Sequence, residues 1–86
     1  MPMPDHFYHT SNFYLAAFLY AKGVELADIE RTENRKRAVF VFVESPDRER
    51  FVHHFNFAPD SGGEAAIDAR KFVYAIKTLK EKLYQD

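Results

Sequence analysis

No cysteine occurs among the 86 residues, which removes disulfides, thiolate catalysis and cysteine-based zinc or iron–sulfur sites in one step. No apolar run approaches the length a bilayer-spanning helix needs. The first nine residues carry Pro2, Pro4 and Asp5 where a secretory signal would place a basic and then an apolar stretch. A cytoplasmic setting is therefore expected.

Catalytic constellations are also missing. Ser11 and Ser45 stand at helix starts, and Ser61 lies in a loop with no nucleophile-elbow context. Gly62-Gly63 lacks the lysine and the spacing of a phosphate-cradling loop. No pair of carboxylates sits in the apolar context that raises a pKa for general acid work. Glu44, at the end of an apolar run, comes nearest, and its plainer reading is the partner of a helix start or of a nearby arginine. His6 and His9 form an H-x-x-H that could grip an ion only if the terminus is ordered. His53 and His54 are adjacent, diverge by about 100° on a helix and cannot share one ion unaided. Neither an enzyme, nor a metal site, nor a cofactor is expected.

What the chain does hold is apolar and aromatic. Apolar residues make up 47% and aromatic ones 16%, with nine Phe and five Tyr, so one small core must be filled largely with rings. The pattern predicts an α+β domain in the order helix, two-stranded antiparallel hairpin, helix, helix (αββαα), spanning residues 10–86. Residues 1–9 form an N-terminal segment whose order the sequence leaves open.

Ser11 to Lys22 predicts the first helix, with Thr10 or Ser11 as its cap and Gly23 as its stop. Tyr14, Ala17, Phe18 and Ala21 line one side, Leu15 and Leu19 the next, Phe13 and Tyr20 the opposite one. A helix apolar all round has to be covered on several sides. Val24–Arg31 predicts a strand whose broken alternation calls for a bulge near Asp28. Turn residues 32–35 follow, and Lys36–Glu44 predicts a second strand, apolar on both faces: Val39, Val41 and Val43 on one, Ala38, Phe40 and Phe42 on the other.

Ser45-Pro46-Asp47 predicts the start of a short helix to about Phe55 that buries Phe51, Val52 and Phe55. Residues 57–65 read as a loop. The last helix is capped by Asp68 and carries Phe72, Ile76, Leu79 and Leu83 as one stripe, with Tyr74, Arg70, Lys77, Lys80 and Glu81 facing away.

A formal net charge of −1 argues against a surface devoted as a whole to nucleic acid, yet the charges are unevenly placed. Arg31, Arg35, Lys36 and Arg37 gather against Glu33. Arg70, Lys71, Lys77, Lys80 and Lys82 gather against Glu81 and Asp86, while residues 44–64 lean acidic.

Thr10-Ser11, Tyr14-Leu15-Ala16-Ala17-Phe18-Leu19, Gly23, Arg37 before Phe40-Val41-Phe42, Phe51, Phe55, Asp68-Ala69-Arg70, Phe72, Ala75 and Leu79-Lys80 together resemble a family of small prokaryotic and phage domains of unknown function. The likeness runs from Thr10 to Tyr84. It implies a compact single-domain unit in a cytoplasmic setting and supplies no activity, cofactor or catalytic residue. Arg37, Arg70 and Lys80 are polar positions within that pattern which the apolar stripes do not require.

Two functional expectations follow. One is a non-enzymatic interaction domain that forms a homodimer or docks on a protein partner through Tyr14, Phe18, Ala21, Val39 and Val41, because the first helix and the second strand carry more apolar surface than one short chain hides easily. The other is an accessory nucleic-acid-binding protein using Arg35, Arg37, Arg70, Lys77 and Lys80, with Tyr74 as a stacking ring. No membrane partner is expected.

Overall fold

A computed structural model describes residues 6–31, 37–57 and 68–84. Six elements follow along them: β1 (Phe7–Thr10), α1 (Phe13–Ala21), β2 (Leu26–Arg31), β3 (Ala38–Val43), α2 (Arg48–Phe57) and α3 (Ala69–Tyr84). The expected α+β class holds. The hairpin, however, is part of a three-stranded antiparallel sheet in the order β1-β3-β2.

The additional strand, β1, lies partly in the N-terminal segment. It pairs with β3 from Phe7 opposite Val43 to Thr10 opposite Phe40, and the Glu44 amide donating to the His6 carbonyl at 3.2 Å prolongs the ladder. A two-stranded hairpin is marginal in water, and a third strand against its apolar member offsets that weakness. β2 pairs with the other edge of β3, and the register slips between Leu26 and Asp28. That slip is the expected bulge, with Ala27 as the extra residue.

α1 starts one or two residues later than the sequence suggests. Asn12, not Thr10 or Ser11, is the cap: its side-chain oxygen accepts from the Leu15 amide at 3.1 Å, while Thr10 Oγ1 accepts from the Asn12 amide. Its end is as expected. Gly23 has φ +93°, its amide donates to the Tyr20 carbonyl, and the next amide, Val24, donates to the Leu19 carbonyl. These are the two paired bonds that close a helix through a left-handed glycine. α2 begins at Arg48 rather than at Pro46, after a turn, and runs on to Phe57.

Partners on paired strands share a face, so the sheet has two unlike sides. Tyr8, Phe42 and Leu26 lie on one side with Thr10, Phe40 and Ile29. Phe40 and Phe42 join Leu15, Ala16, Ala17, Leu19, Val24, Ala75 and Leu79 in a single core, and Phe51, Val52 and Phe55 of α2 close its margin. All three helices thus serve one side of the sheet. The other side carries Phe7 and Val43, His9, Val41 and Asp28, and Val39 and Glu30, none of which belongs to that core.

Candidate interaction surfaces

The side of the sheet turned away from the helices is the first candidate. Val41 is 5% exposed at its centre, flanked by His9 on β1 and Asp28 on β2. Val39 and Val43 stand half-buried above and below it, and Phe7 is 44% exposed at the rim. Among the described residues no helix packs on this apolar stripe. Its flanks differ in charge, with an imidazole on one and the carboxylates of Asp28 and Glu30 on the other.

The outward face of α3 is the second. Arg70, Lys77 and Lys80 are exposed along it, with Tyr74 67% exposed between Arg70 and Lys77 and Tyr84 exposed at the far end. Where the first half of α3 meets the end of α1 lies an open groove of about 460 Å³ bordered by Tyr20, Ala21, Arg70, Lys71, Tyr74 and Ala75. Two small residues make room there, two tyrosines stand beside it, and two cations sit at its edge. At the opposite end of α1, a cavity of about 380 Å³ is bordered by Ser11, Phe13, Arg37, Ala38, Phe40 and Leu83.

The residues read as interface candidates are therefore split. Val39 and Val41 lie together on the side of the sheet turned away from the helices, Val39 half-buried and Val41 only 5% exposed. Phe18 is 4% exposed, its ring 5.4 Å from that of Phe55, so its surface is spent inside the chain. Ala21 borders the groove, and Tyr14 stays 61% exposed, edge-on to Phe13. Of the basic candidates, Arg70, Lys77 and Lys80 share one helix, Arg37 stands just before β3 at the other cavity, and Arg35 lies outside the described residues.

Glu44 is held by an arginine, one of the two plainer readings. Arg48 Nε donates to one carboxylate oxygen at 2.6 Å and Nη2 to the other at 2.9 Å. The guanidinium also lies 4.3 Å over the Tyr8 ring. That fork, assisted by the Ser45 amide and opposed by partial desolvation, holds the Glu44 carboxyl below its ordinary value. A carboxyl kept ionised in this way is a structural anion, not a proton donor. Among the described residues no group of three or more His, Asp or Glu is placed to hold a metal ion, and no helix is long and apolar enough to cross a membrane.

Three features of the packing had no sequence signal. The Arg48–Tyr8 stack joins residues 40 positions apart, and i,i+4 spacing announces only the Glu44 half of the cluster. Arg31 at the end of β2 donates to the Lys82 and Leu83 carbonyls, capping the last turn of α3 from another element. Tyr20 and Tyr74 are brought to one groove by helix packing alone.

Comparison with curated proteins gives no match, and neither does comparison with solved structures. A match of a different kind covers residues 5–85, nearly the whole chain and all six elements. The chain belongs to the family described as domain of unknown function DUF5659.

Proposed function

We propose that this domain carries out no chemistry of its own and works as an interaction module that pairs with a second copy of itself through the open side of its sheet. The observation that supports this reading is the apolar stripe Val39, Val41, Val43 and Phe7 on the side of the sheet turned away from the helices, where Val41 is buried, Val39 and Val43 are half-buried and Phe7 is exposed. Two sheets stacked at about 10 Å bury such faces against each other.

Charge selects the orientation. With a two-fold axis along the strands and through Val41, β1 of each copy lies over β2 of the other, so His9 meets the partner's Asp28 twice. With the axis across the strands, carboxylate would face carboxylate. Opposite groups across an interface fix its register in this way. Strands of four, six and six residues offer roughly 250 Å² per copy at ordinary strand spacings, well short of the ~800 Å² per partner of a stable complex. The dimer is accordingly weak and exchanging.

Sedimentation velocity from 10 μM to 1 mM, concentrations chosen as about the range for so small a contact, tests this. A concentration-dependent shift towards dimer is expected. Val39→Lys, whose new cation faces Glu30 across the strand pair, abolishes it without unfolding the chain. His9→Asp weakens it, and His9→Asp with Asp28→His restores it. A monomer throughout the range, or indifference to the charge swap, rejects the reading.

A further inference from the structure

The charge of the molecule is segregated. Residues 69–84 hold Arg70, Lys71, Lys77, Lys80 and Lys82 against Glu81, a net of +4, in a chain whose total is −1, so all other residues together carry −5. A basic helix on an acidic body is a directed electrostatic feature rather than a uniformly mixed surface. Its outward face also keeps large rings out of the core, with Tyr74 and Tyr84 among the most exposed apolar groups described.

The groove at the first half of this helix adds a shape. Ala21 and Ala75 are too small to fill the space between α1 and α3, and Tyr20 and Tyr74 stand at its sides. Arg70 and Lys77 bracket Tyr74, about 10 Å apart along the helix axis at 1.5 Å per residue. A flat ring held at Tyr74 would have a cation on each side of it. From that arrangement we propose that the α1–α3 groove and the outward face of α3 bind single-stranded nucleic acid, one base entering beside Tyr74 while its flanking phosphates meet Arg70 and Lys71 on one side and Lys77 on the other.

The groove beside Tyr74 decides for a single strand over a duplex. Bases in a duplex are stacked on each other and cannot enter a groove beside a tyrosine, whereas an unpaired strand offers every base for stacking along a basic track. An acidic peptide would satisfy the cations but leave Tyr74 without a planar partner. The site lies on the helical side of the molecule, so stacking of two sheets leaves it open in both copies.

Fluorescence anisotropy of labelled dT12 at 20 mM salt is the test, with a 12-base-pair duplex, free thymidine monophosphate and a twelve-residue polyglutamate as the comparison ligands. Binding of dT12 is expected to weaken with salt with a logarithmic slope of about −2, for three phosphates at roughly −0.7 each. Tyr74→Ala, an exposed position, should weaken it about 5- to 100-fold through lost stacking and Tyr74→Phe much less, while Arg70→Ala with Lys77→Ala flattens the slope. Tighter binding of the mononucleotide than of dT12 would assign the groove to a free nucleotide instead and overturn the strand proposal. So would equal binding of polyglutamate, indifference to Tyr74→Ala, or no binding of dT12 at low salt. Val39→Lys, directed at the sheet, should bind dT12 as the unaltered chain does, which separates failure of this site from failure of self-association.

Discussion

Arg48 is a residue on which several separate interactions converge. Its guanidinium grips Glu44 with two nitrogens and lies flat on Tyr8, so one side chain ties the start of α2 to the end of β3 and to β1. Both charged partners are partly exposed, which screens the pair and leaves the stack and the packing of the stem as substantial parts of its worth. Arg48→Ala should lower the unfolding free energy by about 1–2 kcal/mol in urea titration, and Arg48→Lys should recover only part, because an ammonium cannot form the fork. The pH dependence has a definite sign. Glu44 titrates lower in the fold than its ordinary 4.5, so its stabilisation is present above that value and is lost as pH falls through the depressed one. The stability difference between the unaltered chain and Glu44→Gln should therefore be constant from neutral pH down to about that point and shrink below it. A difference unchanged down to pH 2, about two units below the carboxylate range, would contradict the assignment.

At the scale of elements, α1 sets the architecture. Five successive residues, Leu15 to Leu19, are buried, because the sheet, α3 and α2 surround the helix. Ala16 and Ala17 have no exposed surface at all. Ala17→Leu should cost at least about 1–3 kcal/mol by overpacking, while Tyr14→Gln on the same helix should cost under about 1 kcal/mol because the ring is largely outside. Thermal unfolding of both variants checks the contrast. These elements also show what could be read from the residues. α3 was legible because Phe72, Ile76, Leu79 and Leu83 recur at a helical period, and the bulge was legible because Leu26 and Ile29 cannot share a face without one extra residue. β1 was not: four residues give too short an alternation to register, and their strand character comes from pairing with β3, 30 or more positions away. The all-apolar composition of α1 showed that it must be covered on several sides but not by what. Most of that cover turns out to come from its own chain, and among the described residues the large apolar side chains left exposed are Phe7 on the sheet and Tyr14, Phe57, Val73, Tyr74 and Tyr84 on the helices. The tyrosine groove was illegible for a related reason, since Tyr20 and Tyr74 border one groove through packing between helices and share no sequence period.

The whole molecule is flat, with principal extents of 39 × 35 × 19 Å and a radius of gyration of 13.3 Å. A compact chain of this length would have a radius nearer 12 Å, and the excess reflects a single layer of helices on a single sheet. Flatness makes the mode of the proposed pairing measurable. Stacking two copies face to face puts their centres about 19 Å apart and raises the radius of gyration to about 16 Å, whereas joining them side by side gives about 22 Å, since the square of half the separation adds to the square of the monomer value. Small-angle X-ray scattering extrapolated to the dimer should return the smaller figure, and the larger one would refute the stacked arrangement.

The order β1-β3-β2 also has a consequence for synthesis. β1 and β2 both pair with β3 and not with each other, so as the chain leaves the ribosome two strands and the most apolar helix emerge before the strand that unites them. Until residue 43 is free, that portion has two unpaired edges and no core, and chains halted before this point are the ones a chaperone or protease should meet. The strand that completes the sheet is also the strand that ends the vulnerable interval.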